Sequence, residues 1–218
     1  MNSKREQLKI VKPKFIKEID SICTEISVIN DEDVFEDVYV SNSIIENQAA
    51  DRVCFEGVIF KNVDFINIKL NALELTDVRF ENCDLSNIDF SRSIIHRVEF
   101  INCKLMGINL SEAILQNTII KQCNGKFAIL SFAQMKKVII KESIFENSNF
   151  QNSKFTKVEF SDCSFKMSQM SGTSLSGIDL SNSNVEGLGV RPEDIKGAIV
   201  SPMQAVDFAK MLGLVIKS

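Results

Sequence analysis

Tryptophan is absent from this 218-residue chain, tyrosine and histidine occur once each, and no apolar run is long enough to cross a membrane. A helical span needs about 18–20 continuous apolar residues. The first residues, Met1-Asn2-Ser3-Lys4-Arg5-Glu6-Gln7, also lack the apolar core of a signal peptide, so the expectation is a cytoplasmic protein. A single histidine, His96, leaves a Ser–His–Asp or Cys–His arrangement nothing to stand on. There is no glycine-rich phosphate loop and no metal-ligand spacing. No catalytic residue, metal site or cofactor is assigned, and no enzyme is expected. Phenylalanine, by contrast, occurs 16 times, which suits a narrow dry interior with no partner for a polar tip.

What is present is a register. Every fifth residue from Phe55 to Val185 is large and apolar, through Phe60, Phe80, Phe100, Phe145, Phe155, Phe160 and Phe165, with one lapse at Gly125. A spacing of five fits neither an α-helix, at about 3.6, nor a strand, at about 2. Two residues before each centre stands a second, smaller inward position: Val53, Val58, Val63, Ile68 and onward. Two residues after it come turn formers such as Gly57, Asn62, Asn67, Asp77 and Asn82, types that tolerate positive φ. A chain that corners every fifth residue winds into four-sided coils of twenty residues, stacked at about 4.8 Å. Such a narrow coil, filled with Phe and Leu, leaves no internal ligand pocket.

The cysteines agree with that count. Cys83, Cys103, Cys123 and Cys163 are separated by multiples of twenty, with Ser143 on the missing rung, so they stack in one inward column. Side chains one rung apart sit wider than an unstrained disulfide prefers. The reading is of small buried thiols in a reducing compartment.

Three segments follow: an N-terminal cap over 1–30, the coils over 31–190 and a C-terminal end over 191–218. Phe15, Ile16, Ile19, Ile22, Cys23 and Ile26 recur at helical spacing, which predicts a short amphipathic helix covering the first coil. Phe35, Val40, Ile45 and Ala50 read as degenerate repeats. The repeats stop near Val190-Arg191-Pro192. Ser201-Pro202 starts a helix with an apolar face of Met203, Val206, Ala209, Met211 and Leu212, ended by Gly213. With Leu214 and Ile216 beyond it, that face is a candidate interface for a tail-to-tail homodimer.

The repeats Val78-Arg79-Phe80-Glu81-Asn82 and Cys83-Asp84-Leu85-Ser86-Asn87 resemble the pentapeptide-repeat family. The resemblance implies an all-β solenoid, a right-handed quadrilateral β-helix with a short N-terminal cap and a C-terminal helix. The ending Leu188-Gly189-Val190-Arg191-Pro192-Glu193, with Met203-Gln204-Ala205 and Met211-Leu212-Gly213-Leu214-Val215-Ile216, is similar to the C-termini of Qnr-type quinolone-resistance proteins. It is most similar to the loop-free forms of Gram-positive bacteria. A segment resembling Cys123-Asn124-Gly125-Lys126-Phe127-Ala128 recurs there too. That resemblance implies a cytoplasmic homodimer, joined through its C-terminal ends, that binds DNA gyrase and topoisomerase IV and protects them from fluoroquinolones, partly by mimicking DNA. An immunity or scaffold protein using the same solenoid against a different partner is the alternative.

Charge is segregated. Residues 30–89 hold 14 acidic against 4 basic side chains, and residues 90–166 hold 6 against 11. Asp31, Asp33, Glu36 and Asp37 make an acidic head that suits a basic DNA-binding groove on a topoisomerase. The lysines of the middle lack interleaved aromatic residues, which disfavours direct nucleic-acid binding. Phe127 and Phe132 replace turn formers at successive corners beside Gly125. Either they form an exposed partner patch, or, the favoured expectation, they fold back over the gap left by the glycine.

Overall fold

In the computed structural model, which describes residues 8–17, 19, 23–211 and 213–217, the chain is a parallel β-solenoid with one C-terminal helix among the described residues. Every strand pair is parallel and offset by twenty residues. Phe55 lies opposite Leu75, and the row continues through Ile95, Leu115 and Met135 to Phe155. Eight-residue strands such as Glu74–Glu81, Ile94–Ile101, Ile114–Lys121, Gln134–Lys141 and Lys154–Ser161 each turn one corner and so cover two faces. The other two faces are joined by isolated bridges, for example Lys104 to Asn124 and Asn109 to Ile129.

Four inward columns define the faces. Face 1 carries Phe55 to Leu175, face 2 Phe60 to Leu180, face 3 Phe65 to Val185 and face 4 Leu70 to Val190, in steps of twenty. The corners fall where the turn formers stand: Asn62, Asp77, Asn82, Asn102 and Asn117 have φ between 51° and 56°. At the corner between faces 2 and 3 the amides bond in a ladder, Asn62 to Asn42, Asn82 to Asn62 and Asn102 to Asn82, at 2.8–3.1 Å. Phe35, Val40, Ile45 and Ala50 pair with the centres of the next coil, so the degenerate repeats do form the first turn.

The interior is a stack of side chains. Phe60, Phe80 and Phe100 lie parallel, with centroids 5.0 and 5.1 Å apart and planes within 10°. Phe145, Phe160 and Phe165 are likewise buried, whereas Phe155 is only half-buried against the core. The cysteine column is as expected: Cys83, Cys103, Cys123 and Cys163 are buried free thiols. Each donates to the main-chain carbonyl 23 residues back, at 3.3–3.4 Å. Ser143 fills its rung, accepting from the Cys123 N–H at 3.0 Å. The bond to Cys103 and burial push the Cys83 thiol up, and the bond to Cys123 and burial push Cys103 up to about 12. At neutral pH these remain thiols, inert as nucleophiles.

No α-helix forms among the described residues of the N-terminal segment, where buried Ile19 lies in a 3-10 turn. Residues 8–16 are extended and run along the outside of the coils, with Phe15 half-buried and Ile16 exposed. Ile26 and Ile29 are the residues that cap the first turn, both buried in the core; Ile22 lies outside the described residues. Helical spacing was a coincidence of two different jobs, strap and cap. Pro13, without an N–H, is easily accommodated in the extended stretch.

At the other end, coil pairing runs past Val190 to Ile199, through the Leu175 N–H to Asp194 O and the Leu180 N–H to Ile199 O, both 2.8 Å. Asp194 is buried here, accepting from the N–H of Gly172 at 2.9 Å and from the Arg191 guanidinium at 3.0 Å. The helix Pro202–Met211 then begins with a reciprocal cap: the Gln204 N–H bonds Ser201 Oγ, and the Ser201 N–H bonds Gln204 Oε1. Gln204 also donates to the carbonyls of Leu180 and Ser183, fixing the helix on the last coil. Gly213, at φ 76°, ends it.

Candidate protein-interaction surface

The solenoid is filled, so what it does chemically it does on its outside. Four surfaces stand out. The first is the lapse at Gly125 and its neighbours. The space above Gly125 is taken by Phe145 of the next coil, whose Cε1 would lie 2.5 Å from a Cβ at position 125. The gap is therefore already filled, which frees Phe127 and Phe132. Both rings point out, 56% and 59% exposed, from corners held at φ 61°. This overturns the expectation that they fold back. With Ile129, exposed between them, they form an apolar bar across face 4, and Ile144 and Met106 extend it onto face 3 in the adjoining coils.

A bulky residue at positive φ is an outlier, and the left-handed region costs an L-residue about 1–2 kcal/mol. Other corners share that cost, among them Arg92, Arg97, Gln122 and Met167; Phe127 and Phe132 differ in leaving more than half of an aromatic ring in solvent. Gly125 itself is a packing glycine. Gly125→Ala is expected to lower stability by about 1–3 kcal/mol, because the methyl must displace a buried ring; chemical denaturation checks it.

The second surface is the acidic head. Two of its carboxylates bond to the main chain: Asp33 accepts from the Asn30 N–H in a local turn at 2.7 Å, and Asp31 accepts from the Asp51 N–H of the next coil at 2.8 Å. Glu36 and Asp37 are exposed on the first coil. Glu36 stacks on Glu56, with Glu74 one coil further on the same face, leaving a strip of like charge. Much of the remaining acidity is paired between coils, as Asp77–Arg97 at 2.6 Å, Asp84–Lys104 at 3.0 Å and Lys61–Glu81 at 3.0 Å. The acidic residues and the Phe127–Phe132 bar are several coils apart, so the six candidate partner residues do not form one patch.

The third surface is the C-terminal helix and tail. Phe208, which the sequence did not single out, is the residue that buries onto the coils. Met203 is 77% exposed, Val206, Leu214 and Ile216 are exposed, Val215 is 89% exposed, and Ala209 is half-buried. Leu212 lies outside the described residues. The expected apolar face is thus turned away from the solenoid.

The fourth is face 2 with its strap. A cleft of about 840 Å³ opens beside Leu8, lined by Lys137, Lys157, Phe160 and Ser161 among others. His96 sits away from it on face 1, accepting a hydrogen bond from Arg97 at 3.1 Å; burial and that cation hold its pKa down. No group of three or more His, Cys, Asp or Glu that could hold a metal occurs among the described residues, and no helix is long and apolar enough to cross a membrane.

Residues 74–111, 103–141 and 143–185 match the pentapeptide-repeat signature. The chain belongs to the pentapeptide-repeat family. It is 45% identical over 183 residues to YisX of Bacillus subtilis (strain 168), an uncharacterized protein, covering 84% of each chain. Among solved structures it resembles HetL of the cyanobacterium Nostoc, a pentapeptide-repeat protein involved in the regulation of heterocyst differentiation. There the TM-score is 0.54 at 14% identity, over 78% of this chain and 86% of that one. Full-length QnrB1, a plasmid-mediated fluoroquinolone resistance protein, aligns over 84% of this chain and 99% of its own, at 17% identity and a TM-score of 0.34. HetL shares the fold with this chain.

Proposed function

We propose that this protein is a cytoplasmic, non-enzymatic binder of type II topoisomerases that protects DNA gyrase and topoisomerase IV from fluoroquinolones. The observation that carries the reading is the apolar bar Phe127–Ile129–Phe132, exposed and strained on a coil with no projecting loop. With no loop projecting from the coils, a partner is met by a coil face, and exposed aromatic residues are the side chains that dominate protein interfaces. The C-terminal sequence Leu188–Glu193 and Met211–Ile216, similar to Qnr-type endings, supports the same reading. The acidic strip Glu36, Glu56 and Glu74 adds partial DNA mimicry.

A homodimer joined through Met203, Val206, Leu214 and Ile216 completes the proposal, since these residues face away from the coils. Met203→Asp places a charge in that interface and is expected to give a monomer by light scattering, with the circular dichroism of the fold retained because Met203 is 77% exposed on its own chain, and with the concentration dependence of melting lost. A dimer that survives would remove this part of the reading. The function itself is tested by a supercoiling assay with purified gyrase and ciprofloxacin. Rescue of supercoiling at low protein is the expected result. Neither rescue nor inhibition would leave the fold intact and turn the reading to an immunity or scaffold role.

A further inference from the structure

The strap is bound, not merely laid down. Main-chain N–H groups at every third residue donate to side chains of the coils: Leu8 to Glu159 Oε1 at 2.9 Å, Val11 to Asn117 Oδ1 at 3.4 Å and Lys14 to Asp77 Oδ1 at 3.0 Å. Each step of three strap residues crosses two coils, from the level of Glu159 to that of Asn117 and then Asp77. Two coils measure about 9.6 Å at the strand spacing. Three residues of a polyproline II helix rise about 9.3 Å and return every third N–H to the same side. The two periods match.

The rest of the contact has the same character. Leu8, Ile10, Pro13 and Phe15 are half-buried toward the coils, while Lys9, Val11, Lys12 and Lys14 face out. The Arg79 guanidinium lies 5.2 Å from the centre of the Phe15 ring. Two of the acceptors are buried polar side chains, Asn117 at 5% and Asp77 at 7% exposure. Burial alone would raise the Asp77 carboxyl; hydrogen bonds from Arg97 and from the Lys14 N–H outweigh it and hold the group below the usual carboxylate range. With the strap in place both acceptors are covered and each has a donor, Asn117 from Val11 and Asp77 from Lys14 and Arg97, so the strap completes the hydrogen bonding of this face.

We infer that face 2 is a peptide-binding groove, and that Leu8–Phe15 is its resident occupant and competitor. The ligand it fits is an extended segment of a partner protein with a free N–H at every third residue, apolar side chains inward and lysines outward. Because the donors are main-chain groups, the groove reads backbone spacing more than side-chain identity, as other main-chain docking sites do. The strap sits at high effective concentration and screens the groove. The inference is independent of topoisomerase binding, which is assigned to the opposite face.

The test is fluorescence anisotropy with a labelled peptide of residues 8–16, on the full chain and on the full chain carrying Val11→Pro and Lys14→Pro. Those prolines delete two of the three donors and release the cis occupant. The peptide is expected to bind the variant at least ten-fold tighter than the unaltered chain, and Asn117→Leu or Glu159→Leu added to the variant, each removing an acceptor, should weaken it again. Equal binding to both proteins, binding to neither, or undiminished binding of a peptide with proline at both positions would overturn the inference. So would a dimer in the unaltered chain that vanishes in the variant, since it would make a second copy's strap the occupant. As a check needing no variant, hydrogen exchange of the unaltered chain should protect the Leu8, Val11 and Lys14 amides above their neighbours; uniform fast exchange would overturn it too.

Discussion

Replacing Phe127 and Phe132 together by asparagine is expected to raise the melting temperature and abolish topoisomerase protection. The two effects have one cause. Both residues occupy corners at φ 61°, where asparagine is at home and phenylalanine is not. Relief of about 1 kcal/mol or more at each corner is opposed by little lost burial, because both rings are more than half exposed. A net gain of about 2 kcal/mol raises the melting temperature of a chain this size by roughly 4–8 °C. Asparagines in the same corner column as Phe127 bond between coils, as Asn67 does to Asn47 at 3.0 Å. On the binding side, truncating two central aromatic anchors costs about 2–4 kcal/mol each, so affinity for gyrase should fall by at least 100-fold. A variant that is more stable and still protects would remove the bar from the interface; the supercoiling assay and a thermal melt decide between them.

Most of the fold could be read from a single arithmetic regularity. Position modulo five tells which side chain points inward, because each face of the coil repeats the same local geometry. Gly57, Asn62 and Asp77 marked the corners for the same reason, and φ is positive at each. Ser201, Pro202 and Gly213 marked the helix ends by local capping chemistry, and the caps are formed. What local pattern could not show is contact at long range. The strap bonds to residues 63, 106 and 151 positions away, and nothing in Leu8–Phe15 names those partners. The alternation of Lys9, Lys12 and Lys14 with Leu8, Ile10, Pro13 and Phe15 was the available sign of an extended segment. The apolar spacing beyond Phe15 was given more weight, and it belonged to two elements. Phe127 and Phe132 failed for a different reason. Whether a corner phenylalanine folds inward depends on the vacancy at Gly125, and that vacancy is filled by a ring twenty residues later.

Phe100→Ala is expected to cost about 3–5 kcal/mol, the usual range for emptying a buried aromatic site. Phe100 closes the parallel stack of Phe60 and Phe80, lies against Phe80 at 5.1 Å and 3°, and is covered above by Ile120. In a solenoid each coil touches only its neighbours, so stability is a sum of coil and interface terms. Weakening one interface by several kcal/mol, out of a total of about 5–15 kcal/mol, lets the coils on either side melt separately. The strap opposes this, since it crosses the level of Phe100 and bonds on both sides, at Asn117 and at Asp77. Its hydrogen bonds are worth about 1 kcal/mol each, less than the interface has lost. The expected calorimetric trace is therefore one transition for the unaltered chain and two for Phe100→Ala. Val11→Pro should widen their separation by loosening the strap, while Phe155→Ala, at a half-buried centre, should shift a single transition and split nothing. A single cooperative melt in Phe100→Ala would mean that the strap couples the coils more strongly than its hydrogen bonds account for.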